Sequence, residues 1–167
     1  MNTLTYSPRE VTIIIAGAHE VTGYAEGEFV TIQKEVQATQ TQRAMDGSVA
    51  RLYTKDDGYR MTLTLAQSSP TNDFLGAVYN LDAATRKGKF PLVVKDTLGN
   101  TNFFAGTAWI ETPPTVGFGG TLRENVWRFA CYDATLRIGG NSDLTDFENY
   151  LSQGAAILPI LRQYGLI

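Results

Sequence analysis

His19 is the only histidine in the chain and stands beside Glu20, so any chemistry that uses an imidazole has to be built there. A zinc ion needs three or four ligands, and one His-Glu pair falls short unless distant carboxylates converge on it. A nucleophilic serine or cysteine needs a base within hydrogen-bonding reach, yet no Gly-x-Ser-x-Gly elbow surrounds any serine. Cys131 lies in the apolar run Val126-Trp127-Arg128-Phe129-Ala130-Cys131-Tyr132, a setting that favours a buried small hydrophobe over a reactive thiol. As the one cysteine, it can close no intrachain disulfide.

The remaining candidates are similar. Asp56-Asp57 runs into Gly58, and short acidic side chains before glycine form turns. Glu10, Glu20, Glu26 and Asp133 are scattered, which leaves open a glycosidase-like pair about 5 to 10 Å apart. Gly117-Phe118-Gly119-Gly120-Thr121 lacks the lysine of a phosphate-binding loop and leads into a strand rather than a helix. Trp109 and Trp127 have the faces to stack on sugars or bases, but aromatics in alternating strands usually serve the core. The residues therefore assign no catalytic, cofactor-binding or metal-binding role. A carbohydrate-binding or hydrolytic β-sandwich is the alternative they leave.

Composition narrows the classes further. Lys plus Arg number 14 against 17 Asp plus Glu, a formal charge of −3, so no cationic surplus is available to hold phosphates. A chain of 167 residues suits one domain spanning 1–167, and buries about 70% of its unfolded surface without a staple. No basic stretch followed by an apolar core opens the sequence, and no apolar run approaches the roughly 18 residues of a membrane span. The expectation is a protein made in the cytosol that does not insert into membranes.

The elements that would position these residues are mostly strands. Val11-Thr12-Ile13-Ile14-Ile15-Ala16 is a β-branched run closed by Gly17. Across 28–37, Val30, Ile32 and Val36 alternate with Thr31, Gln33, Glu35 and Gln37, giving one apolar and one polar face. Residues 38–46 carry no apolar periodicity and read as a long loop. Residues 47–66 read as a β-hairpin turning at Lys55-Asp56-Asp57-Gly58. With Asp57-Gly58 as the turn, Leu52 faces Leu63, Ala50 faces Leu65 and Thr54 faces Met61; a four-residue turn shifts the partners and keeps the faces.

Ser69-Pro70 starts a helix with a hydroxyl cap and a proline at its first position, and Phe74, Leu75, Val78, Tyr79 and Leu81 give it an apolar stripe to about Thr85. Strands follow at 89–96, 101–111 and 124–132. Thr145-Asp146-Phe147-Glu148 is a capping box opening a C-terminal helix that Gly154 and Pro159 limit. The predicted fold is α+β and β-dominated: two antiparallel sheets forming a β-barrel or sandwich, with a short helix and a C-terminal helical segment.

The pattern of Val11 to Gly17, Gly23, Phe29-Val30-Thr31-Ile32, Gly47-Ser48-Val49-Ala50-Arg51, Asp57-Gly58, Leu63-Thr64-Leu65, Ser69 to Leu75 and Asn125-Val126-Trp127-Arg128-Phe129 resembles the inner tail-tube proteins of contractile-tailed bacteriophages. Related tubes occur in secretion systems and bacteriocins. The resemblance implies a non-enzymatic virion protein of the tail, assembled in the host cytoplasm into hexameric rings stacked head to tail; the alternative beside it is another structural role in a virion or secretion machine. It implies, as partners, other copies of the chain, the sheath, the baseplate hub, the tail terminator and the tape measure protein, with DNA passing through unbound during ejection. On that reading Thr31, Gln33, Glu35, Arg51, Arg60, Thr62 and Thr64 are lumen-facing candidates, and Gln40, Arg43, Met45 and Asp46 are candidates for contact between rings.

Overall fold

The computed structural model describes residues 4–141, 162–163 and 165. Its elements in chain order are β1 (Val11–Ile15), β2 (His19–Glu20), β3 (Val30–Lys34), β4 (Thr39–Arg43), β5 (Val49–Tyr53), β6 (Tyr59–Ala66), α1 (Thr71–Thr85), β7 (Phe90–Asp96), β8 (Asn102–Thr112) and β9 (Glu124–Arg137). Seven strands make one antiparallel sheet in the order β2-β1-β7-β8-β9-β6-β3, and β4 pairs with β5 in a separate ribbon. The predicted helix opening at Thr145, with Gly154 and Pro159, lies outside the described residues.

Period-2 alternation explains which face of the sheet is dry. Ile13 and Ile15 of β1, Met61, Leu63 and Leu65 of β6, and Trp127, Phe129 and Cys131 of β9 are buried in one cluster, each large side chain contributing about 1.5–3 kcal/mol on transfer from water. Helix α1 covers this face with Leu75 fully buried and Phe74, Val78 and Tyr79 packed beside it. Leu81, expected on the same stripe, is half exposed. Ser69 sits one place before the cap residue Pro70, where its Oγ accepts the Thr71 N–H at 3.3 Å and donates to the Thr22 carbonyl at 2.5 Å.

One irregularity is shared by two strands. The buried set of β8 changes phase from Phe103 and Ala105 to Ala108 and Ile110, and that of β9 changes between Cys131 and the partly buried Ala134. Pairing continues unslipped across the change, from Thr107↔Tyr132 to Ala105↔Ala134. Asp133 adopts φ 54° there, opposite Gly106, where an added Cβ would lie 3.1 Å from the Asp133 carboxylate.

Three sequence expectations are corrected. Residues 47–66 are not a hairpin: Leu52 pairs with Gln40 and Ala50 with Gln42, whereas Leu63 lies between Val30 and Trp127. Val30 and Ile32 of β3 and Trp127 and Phe129 of β9 take the places beside Leu63 and Met61, a more apolar flank than Ala50 and Leu52 of β5 would give. Residues 38–46 are therefore largely strand rather than loop. The main sheet is open, with β3 and β2 at its edges, so the expected barrel or two-sheet sandwich gives way to a seven-stranded sheet with a helix and a ribbon.

Gly23 has φ 72°, and a Cβ there would stand 2.6 Å from Ser69 Cβ. Gly23→Ala is expected to lower stability by more than about 1 kcal/mol in a urea melt, whereas Gly119→Ala, with open space around it, should stay within about 0.5 kcal/mol. Cys131 is fully buried, and burial pushes its thiol up to about 12. Because the thiolate is the reacting species, a thiol reagent at pH 8 should label Cys131 only as fast as the protein unfolds. Prompt stoichiometric labelling of native protein would contradict this.

Candidate assembly surfaces

The outward side chains of β3 and β6 share one face. Register places Thr31 beside Thr62 and Gln33 beside Arg60, while β9 sets Ala130, Arg128 and Val126 beside Arg60, Thr62 and Thr64. Thr31, Gln33, Glu35 and Arg60 are exposed, and Thr62 and Thr64 are half-buried. Six of the seven lumen candidates are thus brought together, and the seventh, Arg51, lies apart on the β4–β5 ribbon.

Arg60 organises this face. Its Nη2 lies 3.4 Å from Glu35 Oε1 and its Nε 3.6 Å from Glu111 Oε2. Tyr132 donates its hydroxyl to Glu35 Oε2 at 3.0 Å and stacks on Trp109 at 5.2 Å. The hydrogen bond to Glu35 and the carboxylate charge hold the Tyr132 phenol above its ordinary pKa. Exposed ion pairs of this kind contribute at most about 1 kcal/mol each, so they set the character of the surface more than its stability. With Arg128 exposed on the same face, two carboxylates balance two guanidiniums, which leaves the patch no positive surplus with which to hold phosphates.

The second surface is the β4–β5 ribbon, an arm on which every strand residue is exposed. Asp46 Oδ1 accepts the Ser48 N–H at 2.9 Å and the Ser48 hydroxyl at 2.6 Å. These bonds hold the Asp46 carboxyl below its ordinary pKa. Gly47 takes φ 86°, closing the turn where Met45 stands fully exposed. The root is stitched to the body by Lys34 Nζ donating to the Asp56 carbonyl at 2.7 Å, by Gly58 N–H to Asp56 Oδ1 at 2.6 Å, and by Glu35 N–H to the Gly58 carbonyl at 3.1 Å. The Asp56 side chain thus bonds the backbone two residues on, in an irregular segment that returns the chain from the arm to β6 rather than in a hairpin turn.

All four ring-contact candidates, Gln40, Arg43, Met45 and Asp46, lie on this arm. Cross-strand pairing puts Arg43, Val49, Arg51 and Tyr53 on one of its faces and Gln40, Gln42, Ala50 and Leu52 on the other, which separates Gln40 from Arg43. The signal for the arm was present in the sequence: Thr39-Gln40-Thr41-Gln42 alternates with period 2, and Asp46-Gly47 is itself a turn dipeptide.

His19 and Trp127 have structural places. His19 stacks on Phe74 with ring centres 4.2 Å apart, and its Nε2 lies 3.2 Å from Thr71 Oγ1. Among the described residues no three of His, Cys, Asp and Glu gather as a metal would require. Trp127 is buried and donates its indole N–H to Asn72 Oδ1 at 2.9 Å.

No model of a known protein family matches the sequence. The chain is 30% identical over 150 residues to structural protein ORF10 of Pseudomonas phage KPP10, covering 86% of this chain and 87% of that protein. Its fold is similar to the tube-terminating cap of the anti-feeding prophage, with a TM-score of 0.52 at 12% identity, over 80% of this chain and 93% of that one. It is also similar to the sheath/tube terminator of the extracellular contractile injection system PVC, with a TM-score of 0.53 at 8% identity, over 81% and 99%. A chain of the PVC sheath-tube complex gives 0.52 at 8% identity, over 79% and 90%. These three likenesses are of fold, whereas the sequence match extends through most of both chains. The chain belongs to the family of phage structural proteins that includes ORF10 of Pseudomonas phage KPP10.

Proposed function

We propose that this protein is a structural subunit of the inner tube of a contractile phage tail, forming hexameric rings that stack head to tail into the conduit for DNA. The observation that carries the reading is the arm. A two-stranded ribbon is marginal in water on its own, yet β4 and β5 pair only with each other and are exposed throughout. A surface of this form suits a subunit whose neighbours complete it. The open edges at β3 and β2 support the same reading, since pairing with adjacent copies in a ring satisfies backbone groups that otherwise invite aggregation.

In this assembly the outward face around Arg60 lines the lumen and the arm meets the next ring. The sheath, baseplate hub, tail terminator and tape measure protein are the proposed partners, and DNA slides past a wall that lacks the positive surplus to retain it. The role is non-enzymatic and sited in the virion tail. A second reading, a terminator that caps the tube with a single ring, is favoured by the fold likeness to two tube-ending proteins.

Negative-stain microscopy of the concentrated protein separates the readings. Hollow tubes of uniform diameter are expected for a tube subunit and isolated rings for a terminator, while a field of monomers would count against both. Arg43→Glu should shorten or abolish tubes while leaving the urea midpoint of the subunit nearly unchanged, because Arg43 is an exposed arm residue. Tubes of normal length from this variant would remove Arg43 from the contact.

A further inference from the structure

The arm and a second exposed apolar patch lie at opposite ends of β6. The arm returns to the sheet at Tyr59, the first residue of β6. The connection between β8 and β9, residues 113–123, is anchored at the other end. There Ala66 pairs with Glu124, Gln67 N–H donates to the Arg123 carbonyl at 2.9 Å, and Gln67 Nε2 donates to the Gly117 carbonyl at 3.2 Å. The eight residues of β6 at about 3.3 Å per step separate these anchor points by about 23 Å. On this held connection Val116, Phe118 and Leu122 are exposed by 69%, 88% and 68%, while the arm exposes Met45, Val49 and Tyr53.

The charges differ as well. Arg43 and Arg51 share one arm face with Val49 and Tyr53. At the far end of β6, Glu124 is exposed, and so are Glu26 and Glu28 on the segment whose Tyr24 bridges Leu65 and whose Phe29 carbonyl accepts the Thr64 N–H. These three carboxylates outnumber the neighbouring Arg9 and Arg123. Each copy thus carries a cationic-apolar surface at one end and an acidic-apolar surface at the other, the arrangement that a heterologous, non-closing contact requires.

We infer that the receptor for the arm is the 113–123 connection of a second copy, with the Arg43, Val49, Arg51 and Tyr53 face laid against Val116, Phe118 and Leu122. This inference rests on the stacked-ring reading and specifies its axial contact. Exposed positions at both sites accept cysteine without disturbing the core, and buried Cys131 does not compete.

The test is disulfide capture with Val49→Cys on the named arm face and Val116→Cys on the connection, both exposed. The double variant, oxidised after concentration and run on a non-reducing gel, is expected to give a ladder of covalent oligomers, and each single variant should give none. The two single variants, mixed, should yield a dimer absent from either alone. Microscopy of the same samples before oxidation separates the layers of the argument. Tubes without a ladder would overturn this receptor and leave the tube reading standing. A dimer from Val49→Cys alone would also overturn it, because like ends would then meet. Absence of both tubes and ladder would overturn the receptor together with the reading it rests on.

Discussion

Along β6, Met61, Leu63 and Leu65 are fully buried while Arg60, Thr62 and Thr64 face outward. Because side chains alternate with period 2, a slip of one residue against β9 would exchange the two sets. That register is pinned from both sides, by Val30 and Ile32 of β3 opposite Leu63 and Met61, and by Trp127 and Phe129 of β9 opposite the same pair. Fixing it decides where the arm leaves the body, where the 113–123 connection is tied, and which hydroxyls and charges share the outward face.

The arm is the feature that the isolated chain explains least well. Its root is bonded through Asp56, Gly58 and Lys34, which fixes its point of departure, but its strands bury nothing of their own. The asymmetry is consistent with a subunit whose ordering is completed by assembly. In the proposed assembly the entropy of holding such a ribbon in place would be offset by contacts with neighbouring copies. The near balance of charge around Arg60 follows a different requirement. An ion pair exposed on both partners adds little stability, but it leaves a polar surface that neither collects phosphates nor sticks to apolar chains.

Much of the fold was legible in alternation alone. Val11 to Ile15, the two-faced β3, the helix at Thr71 and the last three strands fall where β-branched runs, Ser69-Pro70 and Pro113-Pro114 put them. The buried place of Cys131 was equally readable from its apolar neighbours. Pairing was the part that alternation left undetermined. Two Asp-Gly dipeptides, Asp46-Gly47 and Asp57-Gly58, compete as hairpin turns. A ribbon turning at Asp57-Gly58 sets Leu52 opposite Leu63, and that local pattern holds no signal of the Asp46-Gly47 turn. The structure resolves the choice through distant partners: β9, about 60 residues further along, covers the side of β6 that β5 was expected to cover. The candidate surface was legible as a set of polar residues on one face, except for Arg51, whose strand was assigned to the wrong partner.

The same reasoning explains how a fold persists at 8 to 12% identity when so few side chains are retained. An alternating strand asks only for apolar residues at every second position and accepts many of them with repacking, so the sheet order tolerates nearly complete substitution. The matched change of phase in β8 and β9 is more demanding. It turns on Asp133, held at φ 54°, opposite Gly106, where an added Cβ would meet the movable end of the Asp133 carboxylate at 3.1 Å. Packing can relax around a lost methyl group, whereas the change of phase in β8 is matched in β9 with the pairing unslipped, so the two strands turn their core residues together.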